Sequence, residues 1–280
     1  MSDYLKPNEF FQTPPKKTVE FIAKIVNWYF QPHILGLENL NKRQHALYVS
    51  NHTLLGLTDG PLYMPKLIKD YGIYLRPLAD RMHKEIPLWR SIVTDYGAVE
   101  GSRANCERLM EFKQHILVFP GGTNEVCKTK GEEYKLQWQE RFGFVKMAIE
   151  NEYPIIPISG LGGDEIYNIL FDKKEIMESK LGTWLKDSGI ADKYFKGGSI
   201  IPPIVRGVGP TLIPKPQPLF YAFGKPIDTS IYKGDASEAN LKEARNKVEK
   251  AIYEGMEQLK ELREEKDSEM SAWRKFMNKM

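Results

Sequence analysis

The sequence predicts an α/β fold: a single domain with a mixed, largely parallel central sheet flanked by helices. Two observations carry this. Short apolar runs alternate along the chain with longer segments of helical periodicity, the order that parallel strands joined by crossover helices require. At 280 residues and 41% hydrophobic content the chain can also fill a large core. Length alone would permit two domains, but no repeat or low-complexity tract divides them, and nothing forces a boundary.

Residues 1–17 are polar, carry Pro7, Pro14 and Pro15, and lack the basic-then-apolar run of a signal peptide. Residues 18–31 predict a helix with Phe21, Ile22, Ile25 and Tyr29 on one stripe. Lys16, Lys17, Lys24 and Trp28 beside that stripe suit a helix lying in a membrane surface, while an ordinary core-packing helix explains the stripe equally well. Strands are expected at 34–37, 46–50, 73–75, 116–119, 155–158 and 219–223, and helices at about 61–71, 87–95, 102–114, 139–152 and 162–186. Gly97 to Glu100 adds a short strand leading into a helix.

Residues 198–218 hold Pro202, Pro203, Pro210, Pro214, Pro216 and Pro218, too many for a regular element, so an extended connection is expected. Residues 238–263 give the strongest helix, with Leu241, Val248, Ile252, Met256 and Leu259 on one face. Asp235 and Glu238 suggest a capping box at its start. Residues 267–280 repeat the aromatic and basic theme through Trp273, Phe276, Arg274, Lys275 and Lys279. The expected organisation is an N-terminal segment with an amphipathic helix (1–32), a domain over 33–263, and a C-terminal amphipathic helix (264–280).

Composition narrows the function. Lys plus Arg (40) barely exceeds Asp plus Glu (37), so nothing draws the chain to nucleic acid in general. Cys106 and Cys127 cannot build a disulfide framework or a four-cysteine zinc site, which points to a reducing compartment. The five histidines (33, 45, 52, 83 and 115) show no metal spacing, and no metal is expected. No window approaches the ~20 apolar residues of a spanning helix. A cytoplasmic protein, or one peripheral to the cytosolic face of a membrane, is therefore expected.

The residues that suit chemistry fall in three places. His52 follows the apolar run Ala46 to Ser50 and opens a turn-rich segment, which puts it at the C-terminal end of a strand, where open α/β sheets build their sites. An imidazole there can take a proton from a hydroxyl, and Asp59, seven residues on, is the nearest carboxylate to orient it. The plainer alternative is a loop histidine followed by a helix-capping aspartate. Phe119-Pro-Gly-Gly-Thr123 ends a buried strand on a glycine turn whose backbone N–H groups are available to an anion or oxyanion, with Glu125 close behind. Arg103, at a helix start, suits a phosphate or carboxylate, though a solvated arginine suits the position as well. Gly160-Leu-Gly-Gly163 fails the dinucleotide fingerprint because its third glycine position is Glu165, and no Gly-x-Ser-x-Gly elbow exists.

Taken in order, Asn51-His52…Asp59, Gly101-Ser-Arg103, Phe119-Pro-Gly-Gly-Thr123 and Ile155-Ile-Pro-Ile158 resemble the glycerolipid acyltransferase superfamily, over roughly residues 33–250. Asn51-His-Thr-Leu-Leu-Gly56, Pro120-Gly-Gly-Thr-Asn-Glu125, Arg141-Phe-Gly-Phe-Val-Lys-Met-Ala148 and Phe223-Gly-Lys-Pro-Ile227 are most similar to its neutral-acceptor branch, the type-two diacylglycerol acyltransferases and phytyl ester synthases. The resemblance implies a glycerol-3-phosphate acyltransferase-like fold and fatty acyl transfer to a lipid alcohol. It also implies acyl-CoA or acyl carrier protein (acyl-ACP) as cosubstrate, with no bound cofactor. His52 and Asp59 would be catalytic, and Asn51, Arg103, Pro120, Gly121, Gly122, Thr123 and Glu125 would bind substrate.

Two departures from the superfamily pattern matter. The usual Asp five positions after the His is Leu57 here, so the loop must bulge if Asp59 is to reach His52. The Phe-Pro-Glu-Gly-Thr-Arg loop of phosphate-accepting relatives has Gly121 for its Glu and Asn124 for its Arg, which removes the natural phosphate clamp and suggests an uncharged acceptor. The alternatives are a lysophospholipid acceptor, with Arg103 or Lys128 replacing that arginine, and a catalytically silent lipid-binding protein.

Overall fold

A computed structural model describes residues 13–79 and 97–280. Among the described residues seven strands form the central sheet: β1 (His33–Leu35), β2 (Leu47–Ser50), β3 (Leu75–Ala79), β4 (Val99–Glu100), β5 (His115–Val118), β6 (Ile155–Leu161) and β9 (Phe220–Phe223). Their order is β1-β9-β6-β2-β5-β3-β4. Pairing is parallel except between β6 and β9, so the sheet is mixed and largely parallel, as expected.

Alternation along the central strands divides the core. Leu47, Val49 and Ile116 face one layer, with α3 (Arg103–Glu111), α5 (Gly143–Glu150) and the long α9 (Glu238–Asp267). Tyr48, Leu117, Ile156 and Ile158 face the other, against α1 (Lys16–Phe30) and α2 (Gly60–Lys66, continued by a π turn to Tyr71). All seven residues of β6 are buried, as a central strand covered on both faces requires. Helix α9 lies close on β6 because Gly255 has no side chain: a Cβ there would fall 2.3 Å from the Ser159 hydroxyl oxygen.

Several expectations need correcting. The helix expected over 162–186 is interrupted by β7 (Asn168–Phe171), and only then come α6 (Lys173–Glu178) and α7 (Lys180–Asp187), followed by α8 (Ile190–Phe195). Strand β7 forms because the proline-rich stretch supplies a partner, β8 (Ile204–Arg206), in a small antiparallel ribbon that no local pattern announces. The strand expected at 73–75 runs over 75–79. Helix α9 continues to Asp267 and has no capping box: Ser237 is its N-cap, and Asp235 accepts from the Ser237 amide instead, at 3.0 Å. The helix expected at 87–95 lies outside the described residues. The last helix, α10, is Ala272–Lys279.

Candidate active site

Strand β2 delivers His52 at its C-terminal end, between β5 and β6 at the middle of the sheet. The loop that follows makes the bulge the spacing demands. Leu55 (φ 60°) and Gly56 (φ 66°) are consecutive left-handed residues. They fold the extra length back so that Asp59 meets His52. At Gly56 this is easy and also necessary, because a Cβ would lie 2.7 Å from Cε1 of the His52 ring. At Leu55 a left-handed backbone costs about 1–2 kcal/mol, which the surrounding contacts must offset.

A carboxylate oxygen of Asp59 accepts from Nδ1 of His52, and the same group takes the Thr53 amide at 3.2 Å. Asp59 stands at the N-cap of α2 yet makes no side-chain cap bond to that helix. Its carboxylate is committed to the histidine, against the plainer reading of a capping aspartate. The side chain of Asp59 is 5% exposed and that of His52 17%, so the ring keeps an open edge while its partner is enclosed. Nε2 of His52 has no partner among the described residues. The ring stacks on Phe119, with centroids 4.3 Å apart and planes 20° from parallel.

Two further groups fix the His52 backbone, and a third anchors one of them. Glu125, in the short helix α4 (Thr123–Val126), accepts the His52 amide at 2.6 Å and the Gln137 amide at 2.8 Å. It is fully buried, and burial raises its pKa against the pull of those two amides. Gly121 makes room for it: a Cβ there would sit 2.0 Å from the Glu125 carboxyl carbon. Lys128 donates to the His52 carbonyl at 2.8 Å and pairs with Asp164 at 2.7 Å. Asp164 also accepts the amides of Leu54 (2.7 Å) and Tyr134 (2.8 Å). The two charged side chains are 2% and 1% exposed, a buried pair with its remaining valences filled by backbone.

Beside Phe119 lies a mostly apolar cavity of about 390 Å³, lined by Leu78, Val118, Phe119, Gly122, Phe144 and Met147. Arg141 pins the glycine loop at its edge by donating to the carbonyls of Pro120 (2.7 Å) and Gly121 (2.9 Å). The Gly122 amide turns inward to the Phe119 carbonyl at 3.0 Å. The amides of Gly121 and Thr123 have no acceptor among the described residues, so these two, and not Gly122, remain available to an oxyanion.

The expected substrate-binding set therefore divides. Asn51 is buried, and its side-chain amide both donates to the Gly160 carbonyl (3.1 Å) and accepts the Gly160 amide (2.7 Å), stitching β2 to β6. Glu125 is likewise used by the fold, and Pro120 offers only a carbonyl that Arg141 already holds. Arg103 reaches the cavity rim, but it is 61% exposed and paired with Glu107 (2.8 Å) and Glu150 (3.3 Å). Lys128, considered as a stand-in for the missing arginine, is occupied by Asp164. Sequence reasoning missed Asp164, Arg141 and the stacking role of Phe119. Gly121 and Glu125 are four residues apart, a helical spacing that gave a readable hint of their contact.

Comparison with known proteins finds relatives for this chain. The chain is 31% identical over 229 residues to phytyl ester synthase 1 of Arabidopsis thaliana, covering 77% of this chain and 32% of that one. It is 30% identical over 207 residues to an uncharacterized protein of Mycobacterium tuberculosis, covering 73% of this chain and 54% of that one. A human enzyme described as synthesizing storage lipids is 26% identical over 147 residues, 49% of this chain and 45% of that one. The chain thus spans between about a third and about half of these relatives' lengths. Among solved structures, the 1-acyl-sn-glycerophosphate acyltransferase of Thermotoga maritima shares the fold, with a TM-score of 0.52 at 19% identity, over 88% of this chain and 79% of that one. The pattern of the diacylglycerol acyltransferase family matches residues 59–274, opening on Asp59, and the chain belongs to that family.

Proposed function

We propose that this protein transfers a fatty acyl group from a thioester to a neutral lipid alcohol. The observation that carries this is the His52–Asp59 pair, whose imidazole stacks on Phe119, a wall of the apolar cavity. Asp59 fixes the proton on Nδ1, which leaves Nε2 as the base. Nε2 takes the proton of the acceptor hydroxyl as its oxygen attacks the thioester carbonyl. The amides of Gly121 and Thr123 bind the developing oxyanion, a term worth about 3 kcal/mol per donor. The carbon–sulfur bond then breaks, and the imidazolium returns its proton to the departing thiolate. The acyl chain occupies the cavity against Phe119, Phe144 and Met147.

The charges near the apolar cavity favour a neutral acceptor. Arg103 and Lys128 both have carboxylate partners, so neither replaces the arginine that Asn124 lacks. Diacylglycerol, long-chain alcohols and lysophosphatidate should be assayed side by side with acyl-CoA and acyl-ACP. His52→Ala should lower turnover about 10³-fold, within the range of general acid–base catalysis, with the melt nearly unchanged. Full turnover by that variant removes the mechanism. Absence of turnover on every thioester, with lipid still bound, leaves a lipid-binding protein instead.

Contact with a lipid surface belongs to the same reading. Among the described residues no helix is long and apolar enough to cross a membrane. Phe21, Ile25 and Trp28 of α1 are exposed, as are Phe276 and Met280, and Trp28 stacks on Trp273 of α10 at 5.8 Å. Lys17, Lys24, Lys275 and Lys279 flank them, as a helix lying at a membrane interface requires.

A further inference from the structure

The polar side of the His52 loop opens onto a second cavity, of about 470 Å³. Leu54 and Lys128 line it, and it shares no residue with the apolar cavity at Phe119. Most of its charges already have partners. Lys128 is paired with Asp164, Lys130 with Glu175 at 2.7 Å, and Glu165 with Arg263 at 2.9 Å. Glu133 is exposed at the rim, where it accepts the Gly131 amide at 3.3 Å.

Lys215 is different. It is 7% exposed, and its amide is fixed to the Ile166 carbonyl at 2.8 Å. Its ammonium donates to one group, the neutral Asn168 Oδ1, at 3.0 Å, and no carboxylate pairs with it among the described residues. Burial lowers its pKa, and the neighbouring charge of Arg206 lowers it further. A cation held at a cavity wall beside a like charge, with donors left over and no carboxylate partner, is suited to receive the oxygen atoms of an anion.

We propose that this cavity is a phosphate-binding subsite centred on Lys215, with the exposed Arg206, opposite Asn168 in the β7–β8 ribbon, adding positive charge beside it. Two sources supply such a group: the phosphates of the acyl thioester's carrier, or a phosphorylated lipid acceptor. Assignment to the donor rests on the acyltransferase reading; binding of phosphate does not.

Calorimetric titration of the full chain with inorganic pyrophosphate tests the site directly. Lys215→Met should weaken binding at least tenfold and melt no lower than the parent, since it removes a cation without a counter-ion. Arg206→Gln, at an exposed position, should weaken binding severalfold without touching the core. Glu133→Gln should tighten it. Equal affinity in the parent, Lys215→Met and Arg206→Gln, or no affinity in the parent, overturns the proposal. In turnover, Lys215→Met should raise KM for acyl-CoA and leave KM for an S-acyl-pantetheine, which has no phosphate, unchanged. Loss confined to lysophosphatidate would keep the subsite and assign it to the acceptor. A protein that binds pyrophosphate but transfers no acyl group would keep the subsite and remove the enzymatic reading.

Discussion

Two histidines sit at opposite ends of the central parallel pair. His52 follows the C-terminal end of β2, and His115 opens β5 at the other edge of the sheet. Both are largely enclosed, yet their surroundings differ. His52 has a carboxylate on Nδ1, and its ring stacks on Phe119, which lines the apolar cavity. His115 is 8% exposed, its ring meets the neutral Tyr48 hydroxyl at 3.4 Å and the backbone of Lys42, and burial pushes its pKa down to about 4. Enclosure alone makes a histidine hard to protonate. A carboxylate on one nitrogen and no partner on the other are what the base proposed above requires.

The largest effect expected from this contrast is on activity. His52→Ala should lower acyl transfer about 10³-fold in a thioester assay, whereas His115→Phe should leave it in place, and the reverse outcome would break the comparison. Next in size is the anchoring of the His52 loop. Lys128→Met leaves Asp164 buried without its counter-ion, which should cost about 3–5 kcal/mol in urea denaturation. Lys128→Met combined with Asp164→Leu should recover much of that stability but not the activity, because the His52 carbonyl loses its donor.

A smaller effect concerns pH. Unfolded, His115 takes up a proton near its ordinary value of 6.5, but in the fold it stays neutral until about pH 4. The unfolded chain therefore binds more protons between those values, and stability should fall as pH drops through that window, by about 3 kcal/mol in all. His115→Phe should flatten this part of the curve, as read by denaturant midpoints at pH 7 and 4.5. The smallest effect belongs to Arg103, whose ion pairs lie in solvent. Arg103→Ala should leave the melt unchanged and alter KM for the donor only slightly.

Much of this was legible in the sequence. The alternation of apolar runs and helical patterns gave the sheet, and the turn-rich segment after Ala46 to Ser50 put His52 at a strand end. Asp59 was legible as the nearest carboxylate, but its route to the ring was not, because nothing in the residue type marks Leu55 as left-handed. The place of Asn51 in the fold was hidden for a related reason: its neighbour His52 suggested a role in chemistry, while its partner Gly160 lies 109 residues away. Lys128 and Asp164 are ordinary charged residues 36 apart, and only folding makes them a buried pair. Ribbon β7–β8 was hidden because two short strands define each other and neither has a pattern of its own.

The doubled left-handed turn at Leu55 and Gly56 carries a wider consequence. It separates the count of residues between a base and its carboxylate from the gap between their atoms. A search that insists on a set interval would discard this chain, whereas one that asks which loops can bring the two side chains within touching range would keep it. In this fold the interval records the route the backbone takes, and the meeting of the two groups is what has to be preserved.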